Sequence, residues 1–260
     1  MSFDLQILIV SIKAFIAFSL LSSSIYLLND LIDKNNDKKH PVKKFRVIAS
    51  GLISMKSVIK SSLLLLTISL LIGFSVNKLF VFLMISYFSI QIIYCYKLKK
   101  IPLIEFFCVA SGFVIRSIAG GVAAGIFISS WFLLSIGLLS LFLAIEKRKA
   151  EILNFNKSDL ITRDVLKSYS VSLINKFESV LTSSIVITYS LWAYGPSMGG
   201  SSSQYMMITI PLVLLGIFRY QMLSDINQNS PGDVFKSNLL ETPENVILVD
   251  RPIQIIISLW

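Results

Sequence analysis

Charge is scarce in this chain. Of 260 residues, 24 are Lys or Arg and 15 are Asp or Glu, 15% in all, where soluble domains carry about 25%. That shortfall excludes an ordinary water-soluble globule, and 54% hydrophobic residues exclude a disordered chain. Cysteine is nearly absent: Cys95 and Cys108 lie in apolar stretches, too few for a disulfide scaffold, without metal-ligand spacing, and suited to reduced packing. With one histidine, no Ser-His-Asp or Cys-His set is available. No cleavable leader is visible, because the first apolar run begins at once and passes into a hydrophilic loop lacking a small-residue cleavage site. Internal repeats are not detectable.

What the chain has instead is long apolar runs, at about 5–28, 57–76, 79–96, 102–125, 129–146, 174–195, 205–223 and from 252 to the end. Each full run matches the ~20 residues that cross a bilayer. The last covers only about 12 Å of helix, well short of a ~30 Å hydrocarbon core. The expected fold is all-α: a single domain over 1–260, a polytopic transmembrane bundle of seven complete spans and a partial eighth.

Basic residues crowd alternate loops. Lys34, Lys38, Lys39, Lys43, Lys44, Arg46, Lys56 and Lys60 follow the first run, Lys97, Lys99 and Lys100 the third, and Lys147, Arg148, Lys149, Lys157, Arg163 and Lys167 the fifth; the 195–204 stretch has no charge. The positive-inside rule puts the charged loops (29–56, 146–173, 224–251) in the cytoplasm, so a polar active site opens there. Net charge +9 then needs no nucleic acid to explain it. This orientation leaves Met1 outside, and the expectation is that a native N-terminal segment and part of the last helix are missing from the sequence.

Asn29-Asp30-Leu31-Ile32-Asp33-Lys34-Asn35-Asn36-Asp37 follows directly on the first run. If the helix continues, Asp30, Asp33 and Asp37 fall within about 60° of one face. Three mutually repelling carboxylates at a membrane helix end are most simply stabilised by a hard divalent cation, and all-oxygen ligation fits Mg²⁺ sharing its shell with substrate phosphates. A polar stop to insertion needs only one acid. An EF-hand is excluded: Lys38 stands where that loop needs Gly and Lys44 where it needs Glu. Downstream, His40-Pro41-Val42-Lys43-Lys44-Phe45-Arg46 precedes Ile48-Ala49-Ser50-Gly51. Arg46 is equipped for bidentate phosphate contact and Lys43 for a point-charge contact, although any cytoplasmic loop is basic.

These residues carry a resemblance. Asn29 to Asp37 is similar to the NDxxDxxxD motif of the UbiA superfamily of intramembrane prenyltransferases. His40 to Gly51 resembles the HPxKxxRPIASG segment of its decaprenyl-phosphate phosphoribosyltransferase branch, with Val47 in place of Pro. Further matches are Gly112 to Gly121, Lys147-Arg148-Lys149-Ala150-Glu151, Phe218-Arg219-Tyr220 and Asp250-Arg251-Pro252. The family's opening RPxQWxKN segment has no counterpart. The resemblance implies transfer of the 5-phosphoribosyl group from phosphoribosyl diphosphate to a polyprenyl phosphate, in a bacterial inner membrane, with Mg²⁺ on Asp30, Asp33 and Asp37. It leaves homo-oligomer formation open.

Arg116 lies inside an apolar run, where an unpaired charge is expensive, so it should face the bundle interior. Glu105 is about 16 Å of helix rise away and is no partner for it; a substrate phosphate or an acid on another helix is. Lys147 and Glu151, one turn apart, read as a solvated i,i+4 pair or as part of a phosphate clamp. Asn29, Lys43, Arg46, Arg116, Lys147 and Arg148 are the candidate substrate-binding set. Arg219, Tyr220, Asp250 and Arg251 suit interface anchoring. An aromatic prenyltransferase of the same fold is disfavoured because the second aspartate pair is missing: Asp159 and Asp164 are five apart and off a common face. A transporter is disfavoured by the lack of repeats, and a purely structural subunit leaves the aspartates unexplained.

Overall fold

The computed structural model describes residues 5–38, 43–158, 164–195, 199–201 and 203–227. All regular structure among them is helical: α1 (Leu5–Asp37), the short α2 (Val47–Ser50), α3 (Met55–Phe74), α4 (Lys78–Tyr96), α5 (Ile104–Ala124), α6 (Ser130–Ser158), α7 (Val171–Ala193) and α8 (Ile210–Asn227). The apolar run from 252 lies outside the described residues. Two compact units divide the chain. The first contains α1 to α5, α6 as far as Leu141, and a turn at Asp164–Ser168; the second contains α6 from Phe142, with α7 and α8.

Among the described residues six helices are long and apolar enough to cross a membrane: α1, α3, α4, α5, α6 as far as Leu153, and one over Tyr205–Ser224. The chain is a multi-pass membrane protein. The expected span at 174–195 is present as α7, but Lys176, Glu178 and its many hydroxyl residues keep it out of that apolar set. α1 contains neither Gly nor Pro across its 33 residues, so nothing in it stops the helix where the apolar run ends. α6 likewise extends to Ser158 through Glu, Lys, Arg and Ala, all good helix formers. Part of the expected 146–173 loop is therefore helix.

Side-chain caps fix the starts of α3, α4 and α7. Ser54 accepts from the Ser57 amide (3.1 Å), Asn77 from the Phe80 amide (2.7 Å), and Ser170 from the Leu173 amide (3.2 Å), each satisfying a donor the helix leaves open. The Asn77 amide also donates to Val122 O at 3.2 Å, joining the start of α4 to the end of α5. Gly125 ends α5 at φ +66°, a conformation that costs glycine little.

The core of the first unit is made by Ala14, Ala17, Phe18, Leu21 and Ile25 of α1 with Phe80, Met84 and Tyr87 of α4 and Ala119 of α5. Phe18 meets Phe80 and Tyr87 edge-on, with centroids at 5.4 and 5.6 Å. α1 and α3 are joined by serines. Ser24 Oγ donates to Ser62 O (2.9 Å), Ser62 Oγ to Ser24 O (3.1 Å), and Ser69 Oγ to Ala17 O (2.7 Å). Lipid supplies no hydrophobic drive between helices, so such close small-residue seams and their hydrogen bonds hold the bundle. Leu63, Leu64, Leu71, Phe74, Phe82 and Phe107 point outward, as residues facing acyl chains do.

Leu21 is fully buried and Leu64 is 61% exposed, so the same truncation has unequal effects. Leu21→Ala opens a cavity and should cost about 2 kcal/mol or more, read as a clear fall in the melting temperature of the detergent-purified protein. Leu64→Ala should leave that temperature within about 1 °C of the wild type.

Candidate active site

Because α1 runs unbroken to Asp37, Asp30, Asp33 and Asp37 do share one helix end. A helix of this length spans about 50 Å, so its last turns project past a ~30 Å hydrocarbon core. Asp37 is buried and the other two aspartates are half-buried. Two other segments of the first unit close on them. Arg46, at the entrance to α2, places one guanidinium nitrogen 2.9 Å from Asp30 Oδ1 and 3.0 Å from Asp37 Oδ2, so oxygens of both aspartates lie within reach of a single cation. Lys99, in the Leu98–Lys100 turn between α4 and α5, places Nζ 2.5 Å from Asp33 Oδ1. These are charge-assisted hydrogen bonds, stronger than neutral ones.

By donor chemistry the aspartates suit a hard divalent cation. Among the described residues no group of three or more His, Cys, Asp and Glu is arranged to hold a metal ion; the carboxylates are turned toward Arg46 and Lys99 instead.

Asn29 sits one residue before Asp30 on α1, half-buried. Lys43 opens the Lys43–Phe45 turn; its side chain, and His40 to Val42, lie outside the described residues. Lys44 Nζ lies 5.0 Å from the centroid of the Phe45 ring. Arg116 on α5 is half-buried, its guanidinium 5.9 Å from the Phe113 ring centroid. Among the described residues it forms no ion pair with a carboxylate, so a helix-pairing role for it gains no support.

The second unit treats its cations differently. Lys147 is exposed. Arg148 is buried and donates to Glu151 at 2.7 Å. Lys149 is buried and donates to Glu178 Oε2 of α7 at 2.8 Å. The other Glu178 oxygen accepts from Gln221 of α8 (2.7 Å), which also donates to Thr182 (3.1 Å). Tyr220 packs its ring against Phe142 at 5.7 Å, which suits packing beside interface anchoring. Asp159, Asp250 and Arg251, and the side chain of Asp164, lie outside the described residues.

Two features escaped sequence reasoning. Lys99 was one of three loop lysines that fix orientation, and only folding brings it to Asp33, 66 positions away. Glu178 in α7 carries no motif; its one signal is a carboxylate within an otherwise apolar and hydroxyl-rich run, a residue that needs a partner at that depth.

Comparison with known proteins agrees with this architecture. The model of the UbiA prenyltransferase family matches residues 2–240, and the chain belongs to that family. It is 34% identical over 255 residues to a decaprenyl-phosphate phosphoribosyltransferase of Mycolicibacterium smegmatis, covering 95% of this chain and 76% of that protein. It is 32% identical over 251 residues to the Corynebacterium glutamicum protein of the same name, covering 95% and 72%. A UbiA homolog from Archaeoglobus fulgidus, solved with GPP and Mg²⁺, superposes with a TM-score of 0.69 at 19% identity over 85% of this chain and 76% of that one, and shares its fold. The chain is thus a membrane-embedded transferase.

The Lys149–Glu178 pair is a structural contact by this geometry, and its removal has a signature. Lys149→Met leaves Glu178 buried without its cation and should cost about 3 kcal/mol or more, read as aggregation or a lowered melting temperature in detergent. Adding Glu178→Met should recover most of that loss, because an apolar pair of similar volume replaces a buried ion pair at little cost.

Proposed function

We propose that this protein transfers the 5-phosphoribosyl group of phosphoribosyl diphosphate to a decaprenyl-type polyprenyl phosphate and releases diphosphate, with residues 1–260 acting as one transferase domain. The observation that carries the reading is the pairing of Asp30, Asp33 and Asp37 with Arg46 and Lys99, which gathers cation-binding oxygens and phosphate-binding nitrogens in one place. The identity to decaprenyl-phosphate phosphoribosyltransferases over nearly the whole chain supports the choice of substrates. The basic loops support a site that opens to the cytoplasm, in the bacterial inner membrane that the family resemblance implies.

In this reading a phosphate oxygen of the lipid attacks the anomeric carbon of the ribose. The bond from that carbon to the diphosphate oxygen breaks, and the electron pair leaves with diphosphate. The lipid phosphate is already ionised, so the protein supplies no base. Asp30, Asp33 and Asp37 would hold Mg²⁺, which when bound offsets charge on the leaving diphosphate. Arg46, Lys43 and Asn29 orient the donor's phosphates. Arg116, half-buried on α5, holds a phosphate deeper in the first unit. The lipid tail lies along apolar helix surfaces.

The test is an assay of purified protein in detergent with radiolabelled phosphoribosyl diphosphate and decaprenyl phosphate. Labelled lipid forming only with Mg²⁺ supports the proposal; no labelled lipid, but turnover of a prenyl diphosphate with an aromatic acceptor, overturns it. Asp33→Asn keeps the size of the residue and removes its charge, and it should lower turnover about a hundredfold or more while the protein still inserts and elutes as one species.

Arg116→Met should preserve or raise the melting temperature, because a half-buried cation on a membrane helix, with no carboxylate partner among the described residues, is costly and Met packs well in its place. Turnover should collapse, and stabilisation by added phosphoribosyl diphosphate should vanish with it. Aggregation of the variant would instead assign Arg116 to holding helices together.

A further inference from the structure

Asp30, Asp33 and Asp37 carry three negative charges, and Arg46 and Lys99 bring two positive ones to within hydrogen-bond distance of them. A divalent ion arriving alone meets a group whose negative charge is partly offset and whose oxygens facing Arg46 and Lys99 are engaged. It has to shed tightly held water to bind there, and it has to displace Arg46 and Lys99 from their carboxylates. A diphosphate arriving alone meets carboxylates that repel it and cations already committed. When both arrive, the phosphate oxygens receive the guanidinium and the ammonium, and the freed carboxylates receive the metal.

We propose that Arg46 and Lys99 are place-holding cations, which occupy the aspartate stripe when it has no ligand and so make tight metal binding conditional on a diphosphate group. The inference rests on the metal–diphosphate reading of the site given above. The two residues hold unequal positions. The Arg46 side chain is 45% exposed and bridges two aspartates from the solvent side, so it is free to swing; the Lys99 and Asp33 side chains are 12% and 19% exposed, so that pair is the less screened of the two. Lys99 is therefore the more firmly held of the two place-holders, and the effect of its removal on metal affinity should be at least as large as that of removing Arg46. Because linkage is reciprocal, the metal raises diphosphate affinity by the factor by which diphosphate raises metal affinity.

The experiment measures Mn²⁺ binding to purified full-length protein in detergent, by loss of the electron paramagnetic resonance signal of free Mn²⁺, with no substrate turnover involved. Wild type, Arg46→Gln and Lys99→Gln are each titrated with Mn²⁺ alone. Wild type is then titrated with inorganic pyrophosphate present, corrected for Mn²⁺ binding to pyrophosphate in solution. Place-holding predicts weak binding by wild type alone, binding about tenfold tighter with pyrophosphate, and binding about tenfold tighter than wild type in both variants without pyrophosphate. A merely structural role predicts the opposite sign, since losing either cation would loosen the stripe and weaken the metal. If wild type binds Mn²⁺ with pyrophosphate but neither variant binds the metal alone more tightly than wild type does, the place-holder inference falls and the metal reading stands. If no protein binds Mn²⁺ under any condition, both fall. Should either glutamine variant elute as aggregate, the pyrophosphate dependence of wild type decides: equal Mn²⁺ affinity with and without pyrophosphate overturns the inference.

Discussion

Mutual repulsion among three carboxylates on two turns of one helix is the constraint around which the first unit is arranged. Left alone, Asp30, Asp33 and Asp37 would fray the end of α1, because like charges on one face destabilise a helix. The helix stays wound to Asp37 with Arg46 and Lys99 drawn onto the aspartates from the α2 entrance and the α4–α5 turn. The positions of those two connections are thereby tied to the electrostatics of a third segment. The serine seam between α1 and α3 and the aromatic contacts of Phe18 hold the same helix from its membrane side. One rod thus carries both the packing of the unit and its chemistry.

The two units show buried charge used in two ways. In the second, Lys149 and Glu178 are each buried, and Gln221 satisfies the remaining carboxylate oxygen. That arrangement engages both carboxylate oxygens of Glu178, with the buried Glu146 carboxylate beside it. In the first, the ion pairs are partly exposed, and Asp30 and Asp37 share one guanidinium nitrogen. A closed pair specifies which helices pack together; an incomplete one retains a capacity to bind.

Helix positions were legible because continuous apolar runs of membrane length have few alternatives, and the run at 5–28 became α1 much as its length demands. The winding of α1 through the aspartates was legible for a related reason: Gly and Pro are absent there. α6 ran further than its apolar stretch implied, since helix propensity does not stop where hydropathy does. The aspartate stripe itself could be seen from spacing alone. Lys99 could not, because a lysine among other lysines carries no pattern, and its meeting with Asp33 depends on how α4 and α5 turn back toward α1. Glu178 was hidden in the same way, one acid whose significance is supplied by Lys149 and Gln221 on other helices.

The length of α1 has a consequence for the membrane around it. Its apolar portion, residues 5–28, is about 36 Å long, against a hydrocarbon core of ~30 Å. Such a mismatch is absorbed by tilting the helix or by stretching the nearby lipid, each at a modest energetic cost. The aspartates are rigidly continuous with that apolar portion, so their height above the acyl chains is a function of bilayer thickness. A phosphate carried on a membrane lipid lies at a level fixed by the same thickness. The host membrane is therefore one of the determinants of how well the anionic head of a lipid is registered with the charged end of α1.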